Sequence, residues 1–142
     1  FDCASENGAD SLGFCTDTGV LGQRAMTLLR GVRILALESN HDARMLATGP
    51  YPAVLKARVA GDHGHLSNDQ AAGALRELVG PATETVVAMH LSQENNRPSV
   101  AVRTLAAAVG AQAANDTFTE ARTPDGALTI CAAGQDRPLT IW

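Results

Sequence analysis

Three residues able to bind a metal ion or move a proton stand where apolar segments of the chain end. Glu38 follows the aliphatic run Val32–Leu37, His90 follows Thr85–Met89, and Asp17 follows a third apolar segment. Asp, Glu and His are ligands that Zn²⁺ and Mn²⁺ accept in proteins. In open α/β sheets, ligands and chemistry collect beyond the carboxyl ends of the strands. The spacing therefore predicts one site built from three strand ends.

Each of these residues also has a structural interpretation when it is taken alone. Asp17 before a Thr-Gly turn is typical of a turn or N-cap aspartate, and His90 is typical of a hydrogen-bonded structural histidine. The loop Gly61–Leu66 carries His63 and His65, and it equally suits a helix entrance with exposed histidines. All four histidines lie in loops at strand or helix ends, and this combination favours a metal or acid–base site.

Length and composition limit the class of protein. The 142 residues suffice for one domain with a core, and the net charge of −4 gives no general attraction to nucleic acid. No apolar run approaches the roughly 18 residues of a membrane span, so no membrane partner is expected. Cys3, Cys15 and Cys131 form no metal-type pair, which predicts reduced thiols and a cytoplasmic protein.

Hydrophobic periodicity and turn residues predict alternating strands and helices. Strands are expected at 32–37 and 85–89, with helices at 21–30, 43–47 and 53–60. A capping box at Ser67-Asn68-Asp69-Gln70 begins a further helix, and Pro98 begins the last one, which Gly110 ends. Two hairpins, 1–5 with 11–16 and 117–122 with 127–131, and an edge strand at 139–142 complete the prediction.

The first hairpin leaves an apolar surface that the chain itself does not cover. A two-residue turn at Asn7-Gly8 places Phe1 opposite Phe14 and Cys3 opposite Leu12. The expectation is that this chain is a fragment whose apolar face seeks a partner.

Four motifs together resemble a known superfamily. They are Thr16–Gly19, Leu37–Asp42, Gly64–Asn68 and Met89–Asn96. Their order over about residues 10–110 is similar to the second half of a metallo-β-lactamase-fold hydrolase, and the branch that they resemble is that of the YycJ/WalJ-type, DNA exonuclease-like proteins. The resemblance implies an α/β fold, half of an αββα sandwich with a mixed sheet flanked by helices. Residues 1–142 would form one domain, the C-terminal half, without the N-terminal half.

The resemblance also implies roles for individual residues. Asp17 would bridge two divalent metal ions, Zn or Mn, and His90 would bind one of them. A looser similarity to tRNA 3′-processing endonucleases implies that His65 protonates the leaving oxygen or stabilises the charged phosphate, and that Glu38 orients His65. The neighbouring motif residues are predicted to bind substrate; they are Asn40, His41, Ser67 and Asn68.

The chain departs from the superfamily pattern because it lacks the signature His-x-His-x-Asp-His. Asp17 and His90 alone cannot hold two metal ions roughly 3.5–4 Å apart. The isolated chain is therefore expected to be incomplete and inactive, with the missing N-terminal half or another copy as its partner. The completed protein is expected to cut phosphodiester bonds in nucleic acid, with DNA as the expected substrate. Two alternatives stay open: a non-catalytic α/β binding module, and a metallo-hydrolase of small esters, thioesters or lactams.

Overall fold

The computed structural model describes residues 2–4, 10–136 and 138–141. Within these ranges the chain forms strands and helices in alternation. The strands are β1 (Asp2–Ala4), β2 (Ser11–Cys15), β3 (Ile34–Glu38), β4 (Thr85–Met89), β5 (Gln112–Ala113), β6 (Glu120–Arg122) and β7 (Thr129–Ala132). The helices are α1 (Gln23–Leu29), α2 (Ala43–Thr48), α3 (Ala53–Ala60), α4 (Asn68–Leu78) and α5 (Pro98–Val109).

These strands form one mixed sheet in the order β1-β2-β3-β4-β7-β6-β5. The four central strands, β2, β3, β4 and β7, are parallel, whereas β1 and the β6–β5 ribbon are antiparallel to their neighbours. The register pairs Cys15 with Leu37 and Glu38 with Met89. The carboxyl ends of β2, β3 and β4 therefore lie side by side.

The core lies between the sheet and helices α1, α4 and α5. Each parallel connection moves to the next strand in the same direction, so right-handed crossovers put these helices on one face. Alternate residues of β3 and β4, such as Leu35 and Val86, are fully buried against Leu75 of α4 and Leu105 of α5. Local signals fix the helix ends: Ser67 and Gln70 form a reciprocal capping box at α4.

The opposite side of the sheet, called here the open face, is apolar and partly exposed. It surrounds a cleft of about 580 Å³. Its strand residues are Leu12, Phe14, Ile34, Ala36, Val87 and Met89. Leu12 is 40% exposed and Phe14 is 37% exposed. The C-terminal residues Leu139 and Ile141 also line this cleft. A mixed sheet with helices on one face and an apolar second face has the layer order of half an αββα sandwich.

Most predicted elements are confirmed, and one is wrong. The Cys3–Leu12 pairing and the second hairpin, now β6–β7, are present. Phe1 and the Asn7-Gly8 turn lie outside the described residues. Residues 139–141 form no strand, because this apolar segment lines the open face instead of pairing at an edge, and Trp142 lies outside the described residues. The short strand β5 was not predicted, since two exposed residues carry no periodicity.

Candidate metal and acid–base site

Glu38 lies at the centre of a hydrogen-bonded cluster at the carboxyl edge of the sheet. Its carboxylate is fully buried, and Oε1 accepts from Nδ1 of His65 at 2.8 Å and from Nδ1 of His90 at 2.6 Å. The backbone N–H groups of Thr18 and Leu66 donate to Oε2 at 3.0 and 3.3 Å. Four donors therefore satisfy a charge that would be costly to bury alone.

The shared carboxylate sets the orientation of both imidazoles. Because a carboxylate oxygen accepts, Nδ1 carries the hydrogen in His65 and in His90, and Nε2 of each ring is left without that proton in the neutral form. The two rings lie edge to face with centroids 5.1 Å apart. Sequence reasoning paired Glu38 with His65 alone; the structure adds His90 to the same oxygen.

Asp17 completes the cluster from the end of β2. Its Oδ1 lies 3.8 Å from Nε2 of His90 and 4.0 Å from Nδ1 of His65. The alternative role as a helix N-cap is not the one observed, since Gly22 caps α1. Asp17 and His90 both adopt left-handed backbone conformations, with φ of 58° and 54°. Such conformations are uncommon for residues other than glycine and concentrate at functional sites.

These side chains fit one metal ion. Asp17, His65 and His90 each offer a ligand atom, and the three atoms lie within 4.8 Å of one another. Two imidazoles and one carboxylate with an open fourth position are typical of catalytic zinc. Burial raises the pKa of the nearby Cys15 thiol, which disfavours a thiolate ligand there at neutral pH. A second ion would need ligands in addition to these three.

The loop that carries His65 is held tightly in place. The N–H of His65 donates to Val59 O at 2.9 Å, and that of Gly64 donates to Gly61 O at 2.8 Å. A Cβ added at Gly64 would lie 2.2 Å from Val59 O, so only glycine permits this close approach. The glycines of this segment therefore serve close packing and do not make the loop mobile. His63, two residues earlier, is exposed and lies outside the cluster.

A buried amide network supports the same edge of the sheet. Ser39 Oγ donates to Asn68 Oδ1 at 2.7 Å, and the amides of Asn68 and Asn96 donate to each other at 3.0 and 2.9 Å. Asn96 Nδ2 also lies 2.7 Å from Ser39 O and 3.0 Å from Asn40 O. The network links the loop after β3, the start of α4 and the loop after β4, which are the segments that flank Glu38.

The four predicted substrate-binding residues are placed unequally. Asn40 donates to His90 O at 2.8 Å and lines a cleft beside the site. All four are buried, but His41, Ser67 and Asn68 do not line this cleft: His41 and Ser67 form a backbone bridge, and the Asn68 side chain belongs to the amide network. Burial lowers the pKa of His41, and the nearby His65 contributes to this shift. These three therefore sit where they support the loops.

Sequence reasoning missed Asn96 and the backbone N–H of Thr18. Asn96 belongs to the polar loop before Pro98, and two adjacent asparagines there are a weak signal of an internal amide network. The contact of Thr18 with Glu38 uses only the backbone N–H, which every residue except proline has, so the residue type at position 18 could not predict it.

The fold and this cluster define an α/β protein with a candidate metal and acid–base centre at the carboxyl edge of its sheet. Sequence comparison relates the chain to particular proteins. It is 36% identical over 98 residues to exodeoxyribonuclease YycJ of Bacillus anthracis. It is also 37% identical over 90 residues to exodeoxyribonuclease WalJ of Streptococcus pneumoniae. No protein-family model matches. The chain is thus a homologue of the YycJ/WalJ-type proteins, which confirms the resemblance carried by its motifs.

The similarity covers more of this chain than of its relatives. The matched stretches are 69% and 63% of this chain but 37% and 34% of the Bacillus and Streptococcus proteins. The chain therefore spans little more than a third of the length of the curated relatives that it matches. Among the described residues, no helix combines the length and apolar character that crossing a membrane requires.

Proposed function

We propose that this chain is the C-terminal half of a metallo-β-lactamase-fold nuclease that cleaves phosphodiester bonds in DNA. The observation that carries the proposal is the cluster of Asp17, His65 and His90 around the buried Glu38 carboxylate. The relatives named exodeoxyribonucleases support DNA as the substrate class. A cytoplasmic location, predicted from the cysteines, suits that substrate, and Cys15 and Cys131 are free.

Within this proposal, the four central residues have distinct roles. Asp17 and His90 would hold divalent metal, Zn or Mn, and bound metal would supply an activated water and charge stabilisation. His65 would donate a proton to the leaving oxygen from Nε2, since its Nδ1 is bound to Glu38. Glu38 would position both imidazoles through one oxygen.

The second metal ion and the missing half belong together in the proposal. With His65 as the acid, this chain supplies two ligands, Asp17 and His90, which is fewer than the three protein ligands typical of a catalytic zinc ion. Further ligands would come from the N-terminal half, as the absence of the His-x-His-x-Asp-His signature from this chain predicts. That half would also cover the open face, whose exposed Leu12 and Phe14 otherwise contact water.

Fewer residues are proposed to contact the substrate than the motifs alone implied. Asn40 is 8% exposed and lines the cleft beside His65 and His90, so a substrate would contact only the small part of its side chain that faces the cleft. His41, Ser67 and Asn68 would act on the substrate indirectly, by fixing the backbone around Glu38.

Paired variants of the complete protein test the proposal. His90→Ala should lose bound metal and cleavage of single-stranded DNA together. His65→Ala should retain metal and lose roughly 10²–10⁴-fold in rate, the usual scale for one general acid. The control is His63→Ala, which removes an exposed imidazole outside the cluster and should change neither quantity.

The readouts are elemental analysis after dialysis and initial rates on oligonucleotides and small esters. Loss of metal in His65→Ala would make His65 a third ligand and overturn the acid role. Cleavage of esters without cleavage of DNA would favour the small-substrate hydrolase. A complete protein without bound metal and without hydrolysis would favour the non-catalytic binding module.

A further inference from the structure

A cleft of about 400 Å³ opens beside the two site histidines. Its lining includes His65 and His90, Tyr51 from the turn before α3 and Val59 from α3 itself. Its volume falls in the roughly 300–1,000 Å³ range of small-molecule sites. Tyr51 is the single tyrosine of the chain, and it has no part in the proposed metal binding or proton transfer.

Tyr51 is partly exposed and lies on a turn whose backbone is restricted. It stands between Pro50 and Pro52, which restrict the backbone of the turn. The turn begins at Gly49, where an added Cβ would lie 2.6 Å from Asn95 Oδ1. Close packing thus ties the turn to the loop that follows His90. A partly exposed aromatic ring on a restricted turn, next to a candidate phosphate site, is the kind of feature on which nucleobases stack.

The remaining lining is polar and supplies hydrogen-bonding groups for a base or sugar. Gln93 and Gln135 both line the cleft, and Gln93 donates to Gln135 Oε1. Gln135 Nε2 in turn donates to Leu91 O at 2.9 Å. Each side-chain amide has a further N–H, and such groups recognise base edges.

The charged and aromatic groups of the lining suit a nucleotide. Glu94 disfavours a phosphate beside its carboxylate, whereas His65 and His90 offer imidazole nitrogens at the site. A ligand with one anionic part and one aromatic, uncharged part suits a cleft with this lining. A nucleotide has this shape and charge.

We propose that this cleft binds the base and sugar of the nucleotide next to the scissile phosphate, with Tyr51 stacked on the base. The proposal rests on the proposed nuclease function and adds a subsite to it. Because every base has an aromatic face, stacking gives affinity with little sequence preference. The subsite therefore serves an enzyme that acts on DNA of any sequence.

The experiment compares normal oligonucleotides with ones that carry a stable abasic residue at the 5′ or the 3′ terminus. Binding to the complete protein is measured by fluorescence anisotropy in chelator, and cleavage is measured separately with metal. Removing the base should weaken binding roughly 5- to 150-fold at one of the two termini, the range for one stacked base. Tyr51→Ala should weaken binding of the normal strand similarly and leave the abasic strand unchanged, and Tyr51→Phe should bind like the wild type.

The matched control is Val54→Ala, which truncates a side chain on α3 that is 83% exposed and does not line the cleft. Equal binding of normal and abasic strands at both termini by the wild type would overturn the subsite, and this arm needs no variant to fold. Base-dependent, Tyr51-dependent binding without any cleavage would support the subsite and refute the nuclease function. Cleavage of DNA whose binding does not depend on the base would support the nuclease function and refute the subsite.

Discussion

The carboxyl edge of the sheet buries polar side chains, whereas the open face exposes apolar ones. At the edge, Glu38, Asn68 and Asn96 are polar yet almost entirely buried. On the open face, Leu12 and Phe14 are apolar yet more than a third exposed. Buried polar groups are tolerated where every donor and acceptor has a partner, and exposed apolar patches mark surfaces that other molecules cover. The side chains of Glu38, Asn68 and Asn96 thus find hydrogen-bond partners within this chain, whereas Leu12 and Phe14 keep apolar surface exposed.

The largest effect is expected from Glu38→Gln. The amide has one acceptor oxygen where the carboxylate has two, so the four contacts persist only if both imidazoles change tautomer and accept from the amide. Each hydrogen bond to the charged carboxylate, worth roughly 1.5–3 kcal/mol, then becomes a neutral one worth about 1 kcal/mol, so we expect about 2–4 kcal/mol less free energy of unfolding. Denaturant titration of the metal-free chain measures it. Metal binding in the complete protein should also fall, because His90 loses its orienting partner together with His65.

The control for this variant is Glu77→Gln, since the Glu77 side chain is 66% exposed and pairs with Arg30 at the surface. It should change the free energy of unfolding by no more than about 0.5 kcal/mol. Equal stability of Glu38→Gln and Glu77→Gln would show that the buried carboxylate does not hold the edge together.

A second prediction concerns the open face and is smaller in its effect on folding. Phe14→Glu places a charge on the partly exposed apolar surface and should abolish association of the chain with itself or with the proposed N-terminal half. Sedimentation at high concentration, alone and with the N-terminal half added, measures this. The free energy of unfolding should fall by roughly 1–2 kcal/mol, because the side chain is 37% exposed and only its buried part loses apolar contacts.

Val54→Glu provides the comparison for that variant. It introduces the same charge at an exposed valine of α3 that does not line the open-face cleft, so association should persist. A wild-type chain that stays monomeric at high concentration and does not bind the N-terminal half would contradict the idea that this face docks a partner.

The sequence predicted local features of both regions and missed their long-range contacts. The aliphatic runs before Glu38 and His90 predicted the parallel strands, because strands inside a parallel sheet are typically apolar along their whole length. The resemblance supplied the pairing of Glu38 with His65. Glu38 also forms a hydrogen bond with His90, which lies 52 residues further along the chain. This contact exists only because β3 and β4 are neighbours in the sheet, which the sequence does not show directly. The Asn96 network depends on three loops meeting, which no spacing in the sequence reveals.

The smallest predicted effect separates backbone strain at the edge from loss of the imidazole. His90 has a φ of 54°, which costs a residue with a Cβ about 1–2 kcal/mol and costs glycine almost nothing. His90→Gly and His90→Ala both remove the ring and its bond to Glu38. They differ in the Cβ, so the glycine variant should be more stable by about 1 kcal/mol, or roughly 3 °C in Tm for a chain of this size. Thermal unfolding of the metal-free chain measures the difference.

The same two substitutions at His63 serve as the control, because His63 has no positive φ. They show how a change from alanine to glycine affects the free energy of unfolding at an unstrained position. There, glycine raises the conformational entropy of the unfolded chain without relieving strain, so His63→Gly should be less stable than His63→Ala by about 0.4–1 kcal/mol. Opposite signs at the two histidines would show that the carboxyl edge stores backbone strain to present a ligand, as sites that trade stability for function do. If glycine is less stable than alanine at both positions, the backbone at His90 is not strained, and hydrogen bonds alone hold this edge.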